Sequence, residues 1–400
     1  MTQKRRKSRG HSLSGTNLKR AGDHNQRVTL QAIRINGPIA RSELVAITGL
    51  TPPSIANITN RLLDEGLILE AGRLQGSRGL PAMTLAVNPD GCYAIGVNID
   101  RDHITAALVD FSGRVREQVS RQIDFPLPAD VKRFFKAALP KLLSSLDQDV
   151  GKLIGVGVAL PDDLGNVALP HRPKTYSAWN TTDVRQLFSS LLPVPVYAEN
   201  DAAAAALAEL QFGEGMRKPS FFYILITWGL GGSLVIDGEG FRGADGRSGE
   251  IGFLPVRSSA SAAKTLQQVA SLSALYERLE ERGFKVTDPD DLMRLPDPAQ
   301  AIVSAWIDDA AEVLVDPMIN ISCLVNPQAV FIGGRLPAAL VDALADALNE
   351  RLRRIEGVPA VAVVARASTA ASAPVIGAAI LPFMDRLLPS RATLRKTAET

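Results

Sequence analysis

Strand-like and helix-like segments follow the same order twice after Pro89, and this repetition is the feature that most constrains the fold. In the first half we predict strands at 93–99, 104–109 and 114–123, a helix at 129–146 and a buried strand at 153–160. Another helix-strand pair follows. In the second half we predict strands at 221–227 and 232–236, then helices, and strands at 329–332 and 361–364. Two successive halves of this kind indicate a duplicated α/β fold with a cleft between two lobes.

A predicted strand-to-helix corner at residues 199–201 carries three polar residues in a row. An apolar run ends at Glu199, and five alanines, the best helix formers, follow Asp201. Asn200 or Asp201 is therefore expected to cap the helix. A carboxylate here would also project from the C-terminal end of a strand, the usual ligand side of an α/β sheet. The residues alone leave both interpretations open.

Composition excludes several classes of protein. A chain of 400 residues, 46% of them hydrophobic, is expected to form two or three domains. The longest apolar run, 221–235, is interrupted by glycines and falls short of a membrane span, and no apolar segment follows the basic N-terminus. We therefore predict a cytoplasmic protein without membrane contact. Cys92 and Cys323 lack CxxC spacing, which argues against a disulfide framework and a structural zinc site.

The N-terminal ninety residues have the pattern of a DNA-binding domain. Lysines and arginines dominate residues 1–14, which predicts a disordered basic arm with salt-sensitive affinity for phosphates. A helix from Asn25, a short helix from Ser42 and a third helix capped by Thr51 follow in the order of a helix-turn-helix. Strands at 67–69 and 84–87 flank a basic, glycine-rich tip, like the wing of a winged helix.

We expect the third helix to enter the DNA major groove, as the last helix of a helix-turn-helix does. Its polar face lies opposite its apolar face and would contact the DNA. A three-helix bundle used only for protein contacts is the alternative. The candidate DNA-binding residues are Thr51, Ser54, Asn57 and Arg61 on the third helix, and Arg73 and Arg78 on the wing.

Five motifs in order resemble those of the ROK family, which groups repressors and sugar kinases on the actin-like, hexokinase-like ATPase fold. The first motif combines residues 15–17 and 24–25, and the second is the corner 199–201. The third is the glycines in 229–232, the fourth is the segment 243–252, and the fifth combines 326–327 and 332–334. The resemblance covers nearly the whole chain. It implies a winged helix-turn-helix (α+β) followed by a two-lobed α/β body.

The resemblance also implies the domain boundaries. We expect an arm at 1–14, the winged helix-turn-helix at 15–88 and a sugar-sensing domain at 89–400. The lobes of that domain would be 89–199 with a C-terminal helix at 372–400, and 200–371.

Both glycine-rich turns that hold ATP phosphates in family kinases are altered in this chain. The first turn resembles Asp-Ile-Gly-Gly-Thr in the family, but residues 98–102 contain no glycine and include Asp100, Arg101 and Asp102. Glycine lets backbone N–H groups approach a phosphate closely, so its loss removes the cradle. In the second turn Trp228 precedes Gly229, where the family usually has Gly-Thr-Gly. We therefore predict that kinase activity is lost and that no cofactor is needed.

The zinc site of the family is also missing from the sequence. Phe253 stands where the family has a histidine, and residues 258–264 contain no cysteine. Since zinc needs three or four nitrogen or sulfur ligands, we predict no metal site and expect Phe253 to fill the space as a plug.

Residues that hold a sugar in the family are better retained than those that hold ATP. By resemblance, Asn200, Asp201 and Glu250 match positions that bind sugar hydroxyls, Gln267 replaces a further glutamate, and His171 replaces an asparagine. A salt bridge of Glu250 with Arg247 or Arg242 is the alternative role for that residue. Trp179 could stack on a sugar or belong to the core.

The sequence therefore favours a DNA-binding transcriptional regulator, a repressor of carbohydrate genes, with a sugar effector between its lobes. Its expected partners are an operator in double-stranded DNA, a small carbohydrate and further copies of itself in a homodimer or homotetramer. An ATP-dependent sugar kinase is the alternative. A third possibility is a constitutive DNA-binding protein whose body only dimerises.

Overall fold

A computed structural model describes residues 18–74, 82–146, 150–166, 172–256, 264–358 and 361–390. The chain forms two compact units, Met1–Gly91 with Phe383–Thr400, and Cys92–Pro382. Among the described residues, no helix is long and apolar enough to cross a membrane. The basic arm, Arg78 and His171 lie outside the described residues, as do the tip of the 72–79 hairpin and residues 258–263.

The first unit contains three helices and a small antiparallel sheet with strand order β1-β3-β2. Its elements are α1 (Leu18–Asn36), β1 (Ile39–Ala40), α2 (Arg41–Thr48), α3 (Pro52–Asp64), β2 (Ile68–Leu74) and β3 (Ala82–Val87).

Local capping explains where these helices begin. Thr51 Oγ1 accepts a hydrogen bond from the Ser54 amide (3.4 Å), and prolines fill the first two helical positions of α3, as the sequence predicts. The cap predicted for α2 is wrong: the helix begins after Ala40, two residues before Ser42, and the Ala40 amide donates to the Glu43 side chain (2.9 Å). The helix predicted from Asn25 is also too short, since α1 already includes Leu18.

The second unit contains two five-stranded sheets. The first sheet and its helices comprise β4 (Tyr93–Ile99), β5 (His103–Asp110), β6 (Val115–Gln122), α4 (Pro128–Leu143), β7 (Leu153–Leu160), α5 (Val184–Ser189), β8 (Val196–Asn200) and α6 (Asp201–Phe212). The second sheet and the remaining helices comprise β9 (Phe221–Ile226), β10 (Leu230–Ile236), β11 (Glu239–Phe241), α7 (Gln267–Ala270), α8 (Leu272–Glu280), α9 (Asp297–Val325), β12 (Ala329–Gly334), α10 (Ala338–Arg353), β13 (Val364–Arg366) and α11 (Ala373–Arg386).

The two sheets have the same topology, which confirms the duplicated fold. Their strand orders are β6-β5-β4-β7-β8 and β11-β10-β9-β12-β13. In each sheet the first three strands form an antiparallel meander, and the last two run parallel to the first. The β4–β5 turn and the β9–β10 turn therefore occupy equivalent places in the two lobes. The strand predicted at 361–364 is displaced, since β13 begins only at Val364.

Helix α11 lies against the first sheet and α6 without an intervening layer of side chains. A Cβ atom on Gly157 would lie 1.8 Å from the Ala378 carbonyl oxygen, and one on Gly377 would lie 1.6 Å from that of Ala204. Only glycine permits backbones to approach so closely. Strand β7, α6 and α11 are thus packed backbone against backbone.

Candidate functional site

The corner between β8 and α6 both caps the helix and presents polar groups. Asn200 Oδ1 accepts from the Ala203 amide (3.1 Å), while its Nδ2 donates to Asp162 Oδ2 (3.2 Å). Asp201 is 8% exposed, and its Oδ1 accepts from the Ala202 amide (2.8 Å). Burial, and then the charge of Asp100, raise the pKa of Asp201 to about 7. The residues that cap α6, Asn200 and Asp201, are therefore also the candidate ligand-binding groups.

Acidic side chains and two arginines surround this corner. Arg242 pairs with Glu199 (2.7 Å), and Arg247 contacts both Asp163 and Glu250, the latter at 3.3 Å. Burial raises the pKa of the Glu199 and Glu250 carboxyls. The alternative role of Glu250, a salt bridge with Arg247, is present, and it leaves the second carboxylate oxygen of Glu250 available to a ligand.

Asp162 links the predicted sugar-binding residues. Besides accepting from Asn200, it lies near enough to Asp201 and Glu250 for its charge to raise the pKa of each carboxyl. Burial also raises the pKa of Asp162 itself. Sequence reasoning missed this residue, although its position two residues after the end of β7 is a signal, since ligands bind at the carboxyl ends of such strands.

Gln267 begins α7 and borders a cavity of about 410 Å³, which also contacts Arg247, the ion-pair partner of Glu250. Asp163, Asn166, Arg247, Phe253 and Gln268 also line this cavity. Phe253 is 46% exposed, so the expectation that it is a plug is wrong: the ring forms part of the cavity wall. The volume lies within the range of small-molecule sites.

The β4–β5 turn is filled with the chain's own charges. Asp100, Arg101 and Asp102 are each at most 7% exposed. His103 Nδ1 lies 2.7 Å from Asp102 Oδ1, and Arg335 Nη1 lies 2.5 Å from Asp102 Oδ2, so both carboxylate oxygens are occupied. Although burial works to raise it, these partners lower the pKa of Asp102 below its ordinary value.

Arg101 projects toward the equivalent turn in the other lobe. A Cβ atom on Gly229, in the β9–β10 turn, would lie 2.8 Å from Arg101 Nη1 and 3.7 Å from Gln267 Oε1. Trp228 contacts Phe125 and Tyr276 edge-on, each with ring centroids 6.2 Å apart. The space between the two turns therefore holds a guanidinium and an indole.

Within the part of the chain that the structure describes, one group of potential metal ligands occurs at the first turn. Asp100, Asp102 and His103 can each place one ligand atom within 4.8 Å of the others. Both oxygens of Asp102 are already bonded to Arg335 and His103. A cation bound here would have to displace a guanidinium that supplies the same positive charge.

Two further residues were not predicted correctly: Trp179 has a different role from the one considered, and Arg335 was not among the candidate residues. Trp179 is 7% exposed and its Nε1 donates to the Pro126 carbonyl (2.9 Å), so it belongs to the core and the stacking hypothesis is wrong. Arg335 was missed, although it directly follows the Gly333-Gly334 turn.

The candidate DNA-contacting residues share the exposed face of α3. Thr51, Asn57 and Arg61 are exposed and Ser54 is half-buried, while Ile55, Thr59 and Leu62 are buried on the opposite face. Arg61 pairs with Glu65 (3.0 Å) on the same helix. Arg73 is exposed on β2. Apart from Arg78, the structure thus leaves the predicted residues accessible.

Comparison with known proteins extends these observations. The chain is 28% identical over 281 residues to the xylose repressor of Bacillus spizizenii (strain ATCC 23059 / NRRL B-14472 / W23), covering 68% of this chain and 73% of that one. A ROK family transcriptional regulator, a homolog of the E. coli MLC protein, is similar in structure with a TM-score of 0.66 and 22% identity, covering 92% of this chain and 98% of that one.

A ROK family glucokinase from Streptomyces griseus, solved with glucose and AMPPNP, has a TM-score of 0.58 and 22% identity, covering 72% of this chain and 98% of that one. Regulators and kinases therefore share this fold. The ROK family sequence model matches residues 94–383, more than half of the 400 residues. The chain belongs to the ROK family.

Proposed function

We propose that this protein is a DNA-binding transcriptional repressor of carbohydrate uptake or utilisation genes, controlled by a carbohydrate that binds between its lobes. The domain division proposed here is an N-terminal winged helix-turn-helix followed by the ROK body. The observation that carries the proposal is the exposed polar face of α3, with Ser54, Asn57 and Arg61 accessible above a buried apolar face.

The arrangement of the N-terminal elements supports a role in DNA binding. A capped helix that follows a short helix and a tight turn at Gly49 matches the order of a helix-turn-helix. Asn57 and Ser54 carry amide and hydroxyl groups suited to base edges, while Arg61 and Arg73 suit phosphates. The name of the similar xylose repressor points the same way.

The β8–α6 corner supports a carbohydrate effector. Asn200, Asp201 and Glu250 offer amide and carboxylate groups, Gln267 lines the 410 Å³ cavity with Arg247, the ion-pair partner of Glu250, and such groups pair with sugar hydroxyls. The effector can control DNA binding only if it binds one lobe arrangement better than the other. In a dimer, a changed arrangement alters the spacing of the two α3 helices, and half-sites lie about 34 Å apart.

The charged first turn supports loss of kinase activity. Phosphoryl transfer depends on positioning and on positive or hydrogen-bond-donating groups around the phosphates. Here Asp100 and Asp102 occupy the turn, and like charges repel at close range.

Gel-shift assays with a promoter fragment from the protein's own locus test the proposal. We expect a specific complex that one member of a carbohydrate panel weakens or strengthens, and Asn57→Ala should weaken the specific complex by about 1–3 kcal/mol in a folded protein. A sugar at 100 times its dissociation constant should also stabilise the protein by about 2.7 kcal/mol. No specific complex under any condition would refute DNA regulation, whereas a complex with no response to any sugar would favour a constitutive binder.

A sugar kinase remains the second candidate because of one observation. The pKa of Asp201, raised to about 7, suits a general base that takes a proton from a sugar hydroxyl near neutral pH. An assay for ADP release on the same panel separates the candidates. Turnover that Asp201→Asn abolishes would establish the kinase, and absence of turnover with a sugar that binds would exclude it.

A further inference from the structure

Phe253 presents an aromatic ring to the cavity of about 410 Å³ and is itself 46% exposed. A large apolar side chain in water gains free energy when another molecule covers it. Sugar rings carry C–H groups on their faces, which pack against aromatic rings, while their hydroxyls need hydrogen-bond partners. An exposed aromatic ring in a cavity that also offers polar groups is therefore a candidate surface for a sugar.

Polar groups of both kinds surround this ring. The Asn166 side-chain oxygen accepts from Asn180 Nδ2 (2.6 Å), and the Gln268 side-chain oxygen accepts from the Thr265 amide (2.9 Å). Each of the two lining amides therefore keeps its NH2 group as a donor. Asp163 adds a carboxylate, whose oxygens accept hydrogen bonds. A sugar hydroxyl both donates and accepts, so this mixture of groups suits it.

The cavity adjoins the β8–α6 corner but is a separate place. The described lining of the cavity does not include Asn200, Asp201 or Glu250. Arg247 joins the two places, because it pairs with Asp163 in the cavity and with Glu250 at the corner, the latter at 3.3 Å. A single sugar ring held by the corner would therefore leave the cavity unfilled.

Glu250 and Phe253 lie one turn apart on the same short segment of chain. The 3-10 helix Ile251–Phe253 follows Glu250, and the Phe253 amide donates to the Glu250 carbonyl oxygen (3.3 Å). One turn of such a helix rises about 6 Å, and residues three apart lie one above the other. That separation is close to the length of one sugar ring. A ligand with two linked rings can thus place one ring at Glu250 and the next ring at Phe253.

We propose that the effector contains at least two linked sugar rings, of which one binds at the corner and the second packs on Phe253 in the cavity. The proposal rests on the proposed function, because it assigns the size class of the same effector. Phe253 is then a specificity-determining residue, which selects an oligosaccharide over the single sugar that the corner alone would hold. Arg247, whose side chain is 47% exposed, can donate to hydroxyls of either ring.

Titration calorimetry with the full chain tests this inference. The panel pairs each disaccharide with the two monosaccharides that compose it. We expect one disaccharide to bind at least about tenfold more tightly than either of its monosaccharides, because one molecule then contacts both surfaces and loses its translational freedom only once. Phe253→Ala should lower the affinity for that disaccharide about tenfold and leave the affinity for the monosaccharide at the corner nearly unchanged.

Matched variants separate loss of the ring from loss of the fold. Phe253→Trp keeps an aromatic face and should retain tight binding of the disaccharide. Met216→Ala changes a residue that is 44% exposed in the turn after α6, and it should have no effect. Asp201→Asn should weaken the disaccharide and the monosaccharide by the same factor, because both ligands use the corner.

The outcomes distinguish failure of this inference from failure of the proposed function. If a monosaccharide binds as tightly as every disaccharide that contains it, or if folded Phe253→Ala binds the disaccharide normally, the inference is wrong while the proposed function stands. If no carbohydrate of any class binds, both are refuted.

Discussion

Arg335 Nη1 and Asp102 Oδ2 are 2.5 Å apart, and the two residues belong to different lobes of the second unit. Asp102 is 3% exposed and Arg335 is 18% exposed in their side chains, so water screens this pair only weakly. The pair joins the β4–β5 turn to the turn that follows β12. It therefore links the two lobes at the position of the altered phosphate turn.

Removing one partner of the Asp102–Arg335 pair should lower the free energy of unfolding. Arg335→Gln leaves the Asp102 carboxylate buried with His103 as its remaining partner, and we expect a loss of about 3 kcal/mol in the free energy of unfolding. Urea denaturation measures it. The double variant Arg335→Gln/Asp102→Asn should recover part of the loss, because no unpaired charge stays buried. Equal stability of the single and double variants would contradict a buried ion pair.

The same pair predicts a pH dependence. Because the folded-state pKa of Asp102 is lowered, its contribution to stability is present above the unfolded-state pKa of about 3.9 and is lost as pH falls through the folded-state value. Asp102→Asn should therefore flatten the acid limb of the stability curve below about pH 4. Denaturation midpoints measured from pH 2 to pH 6 give the comparison, with an unchanged acid limb arguing against the assignment.

Asp201 should show the opposite pH dependence. Its pKa is raised to about 7, so its stabilising contribution is complete below the unfolded-state pKa of about 3.9 and is lost as pH rises through about 7. Asp201→Asn keeps an acceptor for the Ala202 amide without the charge. We expect the variant to be more stable than the parent by up to about 4 kcal/mol at pH 8 and nearly equal to it at pH 4. Stability curves that run parallel across this range would contradict the raised pKa.

Two glycines provide a matched test of the space around Arg101. Alanine at position 229 meets only the mobile end of the Arg101 side chain, whereas alanine at position 252 would lie 2.1 Å from the Leu230 carbonyl oxygen. We expect Gly229→Ala to fold with nearly parental stability, because the end of the Arg101 side chain can move aside. Gly252→Ala should destabilise the protein by about 2 kcal/mol or more. Thermal unfolding compares the two variants, and an equal loss of stability in both would contradict this difference.

The α3 face predicts two different DNA-binding defects. Asn57→Ala should cost about 1–3 kcal/mol at the specific site and little on unrelated DNA, as expected for a contact with a base. Arg61→Ala should weaken binding to all sequences and lower the salt slope by about 1, as expected for a contact with phosphate. Fluorescence anisotropy across a salt series measures both. Identical defects in the two variants would exclude this division of roles.

Local signals made much of the structure predictable. The repeated order of strands predicted both sheets except the short edge strand β11, and Thr51 and the 199–201 corner predicted the starts of α3 and α6, because each depends on neighbours within a few residues. The two-residue strand β1 was missed, since Ile39–Ala40 is too short to show a period. The start of α2 was misplaced because a side chain at Glu43, and not the residue before the helix, makes the cap.

The candidate site was less predictable because distant segments build it. Asp102 and Arg335 are 233 positions apart, and their pairing depends on how the two lobes meet. The same holds for the approach of Arg101 to Gly229. A charged turn in a sequence shows that a phosphate cradle is absent, but the groups that neutralise those charges appear only once both lobes are in place.

The close packing of α6 indicates where the two lobes can slide. At Gly377 the backbones of α11 and α6 are in direct contact. Helix α6 contacts β10 through small side chains instead: a Cβ atom on Gly231 would lie 3.2 Å from the Cβ atom of Ala202. An alanine surface has few projections to interlock, so displacement parallel to it breaks few contacts. We therefore expect any sliding between the lobes to occur along the α6–β10 boundary. For distance measurements between spin labels, α6 with α11 is the fixed reference, and labels on α8 or α9 would report the motion.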